Sequence, residues 1–384
     1  MNRPVFIVIV ILVAAMAVAA WVYMDTKSDT AAIETLNVVD ALGGHDTSGY
    51  DRADGPRDFR FPDDHGAHPR FRNEWWYFTG NLRTATGRRF GYQFVIFRIA
   101  LKPEPDVHLS RWAGNQVYMG HFALTDPQTK QFIFQERFSR PAIDLAGAQS
   151  QPFRVWLENW SVAEVSEDHW HLQASMPRIR LQLDLRPQKP AVLQGEKGLS
   201  RKSSTPGNAS YYYSITRLAT HGTVTIDDVS RKVDGESWLD REWSTSALGE
   251  DQAGWDWFSL QLSNGFDLML YQLRRKDGTI DPFSSGTLID TKGRTVPLRG
   301  NDISIEVIET WQSPRGGRYP SQWRLRIPSR DMDMVIRPVQ ADQELDVSIR
   351  YWEGAVDITG RQYGADITGH GYVELTGYSN HVTN

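Results

Sequence analysis

The sequence predicts an all-β protein of two similar antiparallel domains behind an N-terminal hydrophobic helix. Three observations carry this prediction. From residue 70 onward apolar residues recur with a period of two, as in "YQFVIFRIAL" and "RIRLQLDLR". Hairpin-grade turns separate the runs: "SNG" at 263–265, "KDGT" at 276–279 and "TKGRT" at 291–295. One strand pattern also occurs twice, about 180 residues apart: "WWYFTGNL" at 75–82 and "WDWFSLQL" at 255–262. Each copy is followed by a turn glycine (Gly87, Gly265), a second apolar strand and an arginine (Arg98, Arg274). The length of 384 residues accommodates two domains at roughly 150 residues each.

The elements follow in chain order. Residues 1–24 read as a signal peptide or membrane anchor, because Val5 to Val22 carries no charge and Arg3 precedes it. Ala17-Val18-Ala19 has the small-x-small form of a cleavage site. Either reading exports the rest of the chain to the periplasm or beyond, and the anchor reading ties it to the inner membrane through residues 5–22. Residues 25–58 are polar and rich in Asp, Gly and Thr, as a linker is. The first domain is expected over 59–195 and the second over 208–384. The seam between them is placed in "LQGEKGLSRKSSTPGNAS", which is poor in strand signal. "ISIEVIETW", "WRLRIP" and "ELDVSIRYWEGAVDITG" continue the strand pattern towards the C-terminus.

Composition excludes several functions. A net charge of −5 with no run of Lys or Arg offers no field for nucleic acid. Without cysteine there is neither a disulfide nor a lipoprotein anchor. The chain has no nucleophile elbow, phosphate-binding loop, zinc-protease helix or dinucleotide fingerprint, so no cofactor is called for. His65 and His68 in "DDHGAHP" are a weak metal signal and no metal site is expected; His121 and His221 are lone histidines at strand edges.

Fourteen tryptophans direct attention elsewhere. Alternation sends Trp75, Tyr77, Thr79 and Asn81 to one face of the opening strand, and Glu74, Trp76, Phe78 and Leu82 to the other. In the second copy Trp255, Trp257, Ser259 and Gln261 oppose Asp256, Phe258, Leu260 and Leu262. An aromatic face ending in hydroxyls and amides suits an amphipathic ligand. It equally suits rings that plug a barrel or pack one domain on the other. In "DGESWLDREWSTS" Trp238, Asp240 and Glu242 share a face, against Leu239, Arg241 and Trp243. A carboxyl buried among rings has a raised pKa and can serve as a general acid, which makes Asp240 and Glu242 the catalytic candidates. The alternative is a rim ion pair with Arg241 or Arg217.

The motifs "RNEWWYFTGNL", "GHFALTD", "SYYYSITRL", "GESWLDREWS", "GWDWFSLQL" and "GHGYVELTGY", in this order over about residues 58–380, resemble the AttH-type group of bacterial secreted proteins. That group is related to carotenoid 1,2-hydratases. The resemblance implies two lipocalin-like β-barrels and a pocket for a lipophilic, isoprenoid or lipid-like molecule. It implies activity of hydratase or hydrolase type, and association of some members with ABC-transporter permeases. The acid role falls on Asp240, with Gln261 or Tyr271 holding water. Glu74, Trp76, Tyr77, His121, Trp238, Trp243, Trp255 and Trp257 complete the expected ligand-binding set. The chain lacks the Asp-His pattern of the carotenoid hydratases at this position, which argues against carotenoid hydration itself. A non-catalytic carrier serving a transporter is the competing reading, and a structural module without a cavity is the third.

Overall fold

The computed structural model describes residues 47–103, 114–246, 248–249 and 251–378. The expected N-terminal helix and most of the linker lie outside them. Among the described residues the regular structure is β apart from four short 3-10 turns. In chain order the first thirteen strands are β1 (Asn73–Arg83), β2 (Arg89–Ala100), β3 (Gln116–Asp126), β4 (Gln131–Ser139), β5 (Ala146–Ser150), β6 (Phe153–Leu157), β7 (Trp160–Ser166), β8 (His169–Met176), β9 (Ile179–Pro187), β10 (Val192–Leu193), β11 (Leu199–Arg201), β12 (Ala209–Ile226) and β13 (Val229–Ser246). The other ten are β14 (Gln252–Leu262), β15 (Asp267–Arg275), β16 (Ser285–Ile289), β17 (Thr295–Arg299), β18 (Ser304–Gln312), β19 (Arg318–Ile327), β20 (Met332–Pro338), β21 (Glu344–Leu345), β22 (Tyr351–Gln362) and β23 (Ala365–Leu375).

These strands form two barrel-like antiparallel sheets with one topology used twice. The first runs β4-β3-β2-β1-β13-β12-β9-β8-β7-β6-β5, with β10 and β11 on β12; the second runs β17-β16-β15-β14-β23-β22-β20-β19-β18, with β21 on β22. In each, the opening strand lies between its hairpin partner and the last strand of the sheet. The repeated sequence pattern is therefore a repeated position in the fold. Gly87 and Gly265, in the turns that follow the two opening strands, have φ of +87° and +83°, a conformation that favours glycine.

The expected domain boundary is corrected by this topology. The first sheet takes in β12 and β13 and ends at Ser246, and the second begins at Gln252. The stretch placed at the seam is not a linker, because β10 and β11 pair with β12. The long β12–β13 hairpin returns to β1, setting Tyr77 opposite Asp240, so strands that follow the seam in sequence complete the first sheet. The last residues of the expected linker also pack: Ala53 is buried in the first core and the Tyr50 hydroxyl donates to the Ala100 carbonyl at 3.0 Å.

Alternation divides the opening strands as read. Trp76, Phe78 and Leu82 join Phe94, Trp160 and Leu172 in the first core, and Phe258, Leu260 and Leu262 join Trp323, Trp352 and Val356 in the second. The opposite faces meet each other. Tyr77, Val95, Tyr212, Trp238, Trp257 and Tyr271 form a separate cluster between the sheets. Polar contacts pin that junction: Lys189 donates to Asp267 at 2.6 Å, and the Gln261 amide to the carbonyls of Thr216 at 2.7 Å and Ser237 at 3.1 Å.

Candidate active site

The aromatic face encloses a cavity between the sheets rather than within either core. It has about 920 Å³ of empty space, counting its mouth. Trp75, Tyr77, Trp255, Trp257 and Tyr271 supply rings from the opening hairpins of both sheets, and Asp240, Glu242 and Glu374 supply carboxyls. Concave pockets that are mostly apolar with a few convergent polar groups are the usual form of a small-molecule site.

Asp240 stands at the centre of β13 and is 3% exposed. Its neighbours across β12 are chosen by register: Ser214 is its partner there, and Tyr212 is the partner of Glu242. The Tyr212 hydroxyl donates to Asp240 Oδ2 at 2.5 Å, and Trp238 Nε1 donates to Oδ1 at 2.7 Å, which Ser214 Oγ also reaches. Burial pushes the Asp240 carboxyl up to about 7; these three donors oppose the rise and the nearby Glu242 adds to it. The Tyr212 phenol is itself held well above its ordinary pKa by burial and by Asp240, so it remains a donor. Trp257 Nε1 donates to Tyr212 at 3.1 Å and ties this arrangement to the second sheet.

Glu242 lies 3.1 Å from Lys202 Nζ. Burial disfavours the lysine charge, but Glu242 and the neighbouring Tyr271 and Asp240 outweigh it and raise the Lys202 pKa. On the second sheet, Glu374 is pushed up to about 8 by burial and by the carboxyls of Glu242 and Asp240, against a hydrogen bond from Trp255. Its cross-strand partner Glu353 accepts from the Tyr77 hydroxyl at 2.6 Å and is held well above its ordinary pKa by burial and by Glu374.

The remaining wall carries a hydrogen-bonded relay. Tyr351 Oη and His121 Nδ1 are 2.8 Å apart, and His121 Nε2 lies 3.0 Å from Glu136 Oε1. Burial works against the charge of Glu136, but hydrogen bonds from His121 and Ser348 outweigh it and lower its pKa. A carboxylate only accepts, so the neutral imidazole carries its hydrogen on Nε2, and Nδ1 accepts from Tyr351.

Of the expected residues, Asp240, Glu242, Tyr77, His121, Trp255, Trp257 and Tyr271 line the cavity. Trp238 stands behind Asp240 as a donor. Gln261 is occupied by the two carbonyls that lock the sheets together and is not a lining residue. Glu74, Trp76 and Trp243 belong elsewhere because their strand positions put them on the opposite face. Glu74 is fully buried at one end of the first core, paired with both Arg98 and Arg241. The Arg241 guanidinium lies 3.9 Å from the Trp76 ring centroid, and Trp243 stacks on His68 at 3.7 Å. Burial would raise the Glu74 carboxyl, but the two guanidiniums outweigh it and hold it well below the usual range.

Sequence reasoning missed Lys202, Tyr212, Tyr351 and Glu374 as site residues. Tyr212 and Glu374 sit in the quoted motifs "SYYYSITRL" and "GHGYVELTGY", on the faces that alternate away from the cores. Lys202 follows β11 in a segment without strand alternation, which gave no signal of its direction.

The sequence model of the AttH-like family matches residues 52–378. The chain is similar to an AttH protein from Nitrosomonas europaea of known crystal structure, at 36% identity and a TM-score of 0.75, over 84% of this chain and 99% of that one. It is also similar in fold to kievitone hydratase from Nectria haematococca, at 16% identity and a TM-score of 0.64, over 84% of this chain and 94% of that one. A search of curated proteins gives no match. With most of its length matched by the family model, and a relative of the same family similar over nearly its whole length, the chain belongs to the AttH-like family.

Proposed function

We propose that the cavity between the sheets binds a lipophilic, isoprenoid or lipid-like molecule and hydrates one of its double bonds, with Asp240 as the acid. The observation that carries this reading is a carboxyl held up to about 7 by burial, inside a ring-lined cavity open to a ligand. A carboxyl protonated near neutrality is what general-acid catalysis of alkene protonation needs. Asp240 transfers its proton to one alkene carbon, and the other becomes cationic beside ring faces, each worth on the order of 1–2 kcal/mol when desolvated. Water adds through oxygen to the cationic carbon. Its surplus proton passes through Tyr351 to His121 and from there to solvent, while Asp240 recovers a proton from solvent at the cavity mouth. One water is consumed, no net proton, and both groups return to their starting states. Glu242, paired with Lys202, serves to hold charge rather than to donate it. The likeness of fold to a protein named a hydratase agrees with this reading. Residues 1–24 export the protein in this account and, if retained, hold it beside the bilayer from which such a ligand comes.

Incubation with a panel of isoprenoid alkenes in ¹⁸O-labelled water tests the proposal. A product heavier by one labelled water is expected, with turnover reduced about 10²–10⁴-fold in Asp240→Asn, the usual worth of a general acid. Ligands bound and recovered unchanged, or turnover unaffected by Asp240→Asn, would make the protein a carrier or move the acid elsewhere.

A further inference from the structure

Carboxyls outnumber cations around the cavity, and burial holds two of them, Asp240 and Glu374, protonated near neutrality for want of a counter-charge. Asp240, Glu242 and Glu374 face it, whereas Lys202 is the one lysine or arginine among its described lining residues and is already paired with Glu242. Glu353 stands behind Glu374 on the neighbouring strand, fully buried, with Oε1 taken by Tyr77 and Oε2 without a hydrogen-bond partner. Neither Glu353 nor Glu374 has a cation within ion-pair distance among the described residues.

The rings show what kind of cation could stabilise the ionised form of these carboxyls. Lys202 Nζ lies 4.1 Å from the centroid of Tyr271 and 5.5 Å from that of Tyr212, so the protein's own ammonium already sits on ring faces beside a carboxylate. Ammonium groups within about 6 Å of a ring centroid gain ~0.5–2 kcal/mol per ring, most when desolvated, and cages of such rings recognise quaternary ammonium. Tyr77, Trp75, Trp255 and Trp257 line the same cavity as Glu374, Trp255 hydrogen-bonds to it, and no other lysine or arginine is among the described lining residues. Phe97, Met119 and Leu273 provide an apolar wall for a chain. An anionic amphiphile would instead oppose ionisation of Asp240 and Glu374, and the one lysine is already engaged with Glu242.

We infer that the inter-sheet cavity is a binding site for a lipophilic ammonium cation, its head group among the rings beside Glu374 and its chain along the Phe97–Met119–Leu273 wall. The inference shares the cavity with the hydratase reading but does not depend on it, because binding is read without turnover. In that reading the ammonium occupies the place of the cationic carbon.

Tryptophan fluorescence of the purified protein should be titrated with decyltrimethylammonium, 1-decanol and decanoate, all below their micellar or solubility limits. Decyltrimethylammonium is expected to bind about tenfold tighter than decanol, with decanoate weakest. Glu374→Gln should reduce this preference about fivefold or more, the size of one lost ring-scale or ion-pair contribution. Should Glu374→Gln fail to fold, Trp257→Leu serves instead and should weaken ammonium binding while sparing decanol relatively. Equal affinities for the three ligands, or a preference for decanoate, would overturn the inference, as would an ammonium preference that survives both variants. Ammonium preference without alkene hydration would uphold this site and sink the hydratase reading; hydration without ammonium preference would do the reverse.

Discussion

Glu74→Ala is expected to destabilise the protein by about 3–5 kcal/mol or more, because it removes the one carboxylate shared by two fully buried guanidiniums. Arg98 would retain the carbonyls of His68 at 2.9 Å and Phe71 at 2.7 Å, but neither guanidinium would keep a counter-charge. The His68 amide, which donates to the same carboxylate at 3.0 Å, would lose its acceptor as well. The penalty is the exposure of buried charge to an uncompensated interior rather than the worth of the pair itself. Thermal unfolding should show a loss on the order of 10 °C, or the variant should fail to accumulate. Asp366→Ala is the control: Asp366 and its partner Arg361 are mostly exposed, so that change should cost under about 1 kcal/mol. A Glu74→Ala protein as stable as this control would show that the first sheet does not depend on the buried network. The same carboxylate fixes an acid limit. Its folded pKa is lowered, so its contribution is present above the ordinary carboxylate range and lost as pH falls below it.

Asp240→Asn should act in the opposite sense at alkaline pH. The Asp240 carboxyl is raised from 3.8 to about 7, so the folded state binds the proton more tightly than the unfolded chain. Stability from this group is complete below about pH 4 and is lost as pH rises through about 7. Three units of difference correspond to roughly 4 kcal/mol at the upper limit. Glu374, raised to about 8, follows the same direction, and the two carboxyls titrate as a coupled set. Wild type should therefore lose a few kcal/mol more than Asp240→Asn between pH 5 and pH 8.5, measured as the shift of the urea midpoint. At pH 5 the variant should be no more stable than wild type, since an amide accepts poorly from three donors at once. Parallel pH profiles for the two proteins would mean that Asp240 is not held neutral by its surroundings. Loss of turnover together with gain of alkaline stability is the expected trade of a group kept for chemistry rather than for folding.

Much of this was legible in the alternation of single strands. The period of two separated Trp76 and Phe78 from Trp75 and Tyr77, and the first pair fills a core while the second faces the other sheet. The same alternation put Asp240 beside Trp238 and away from Trp243, which is how the two tryptophans divide between the acid and the first core. What periodicity does not carry is which strand lies next to which. The boundary at 193–210 failed because a 3.4 Å rise per residue says nothing about β13 pairing back to β1 and β12 bridging β13 to β9. Glu374 and Tyr351 reach the site from β23 and β22, more than a hundred residues beyond Asp240, through pairings that only the fold reveals. Glu74, expected in the ligand-binding set, shares its face with Trp76, and that face sends it into the first core instead.

The central claim is that the inter-sheet cavity holds a neutral carboxylic acid at Asp240. Infrared difference spectra of wild type against Asp240→Asn, recorded across pH, read that protonation state without any ligand. A protonated-carboxyl C=O band present in wild type at pH 6, absent from the variant, and vanishing with a midpoint near 7 is the predicted result. A carboxylate signal from Asp240 already complete at pH 5 would contradict it.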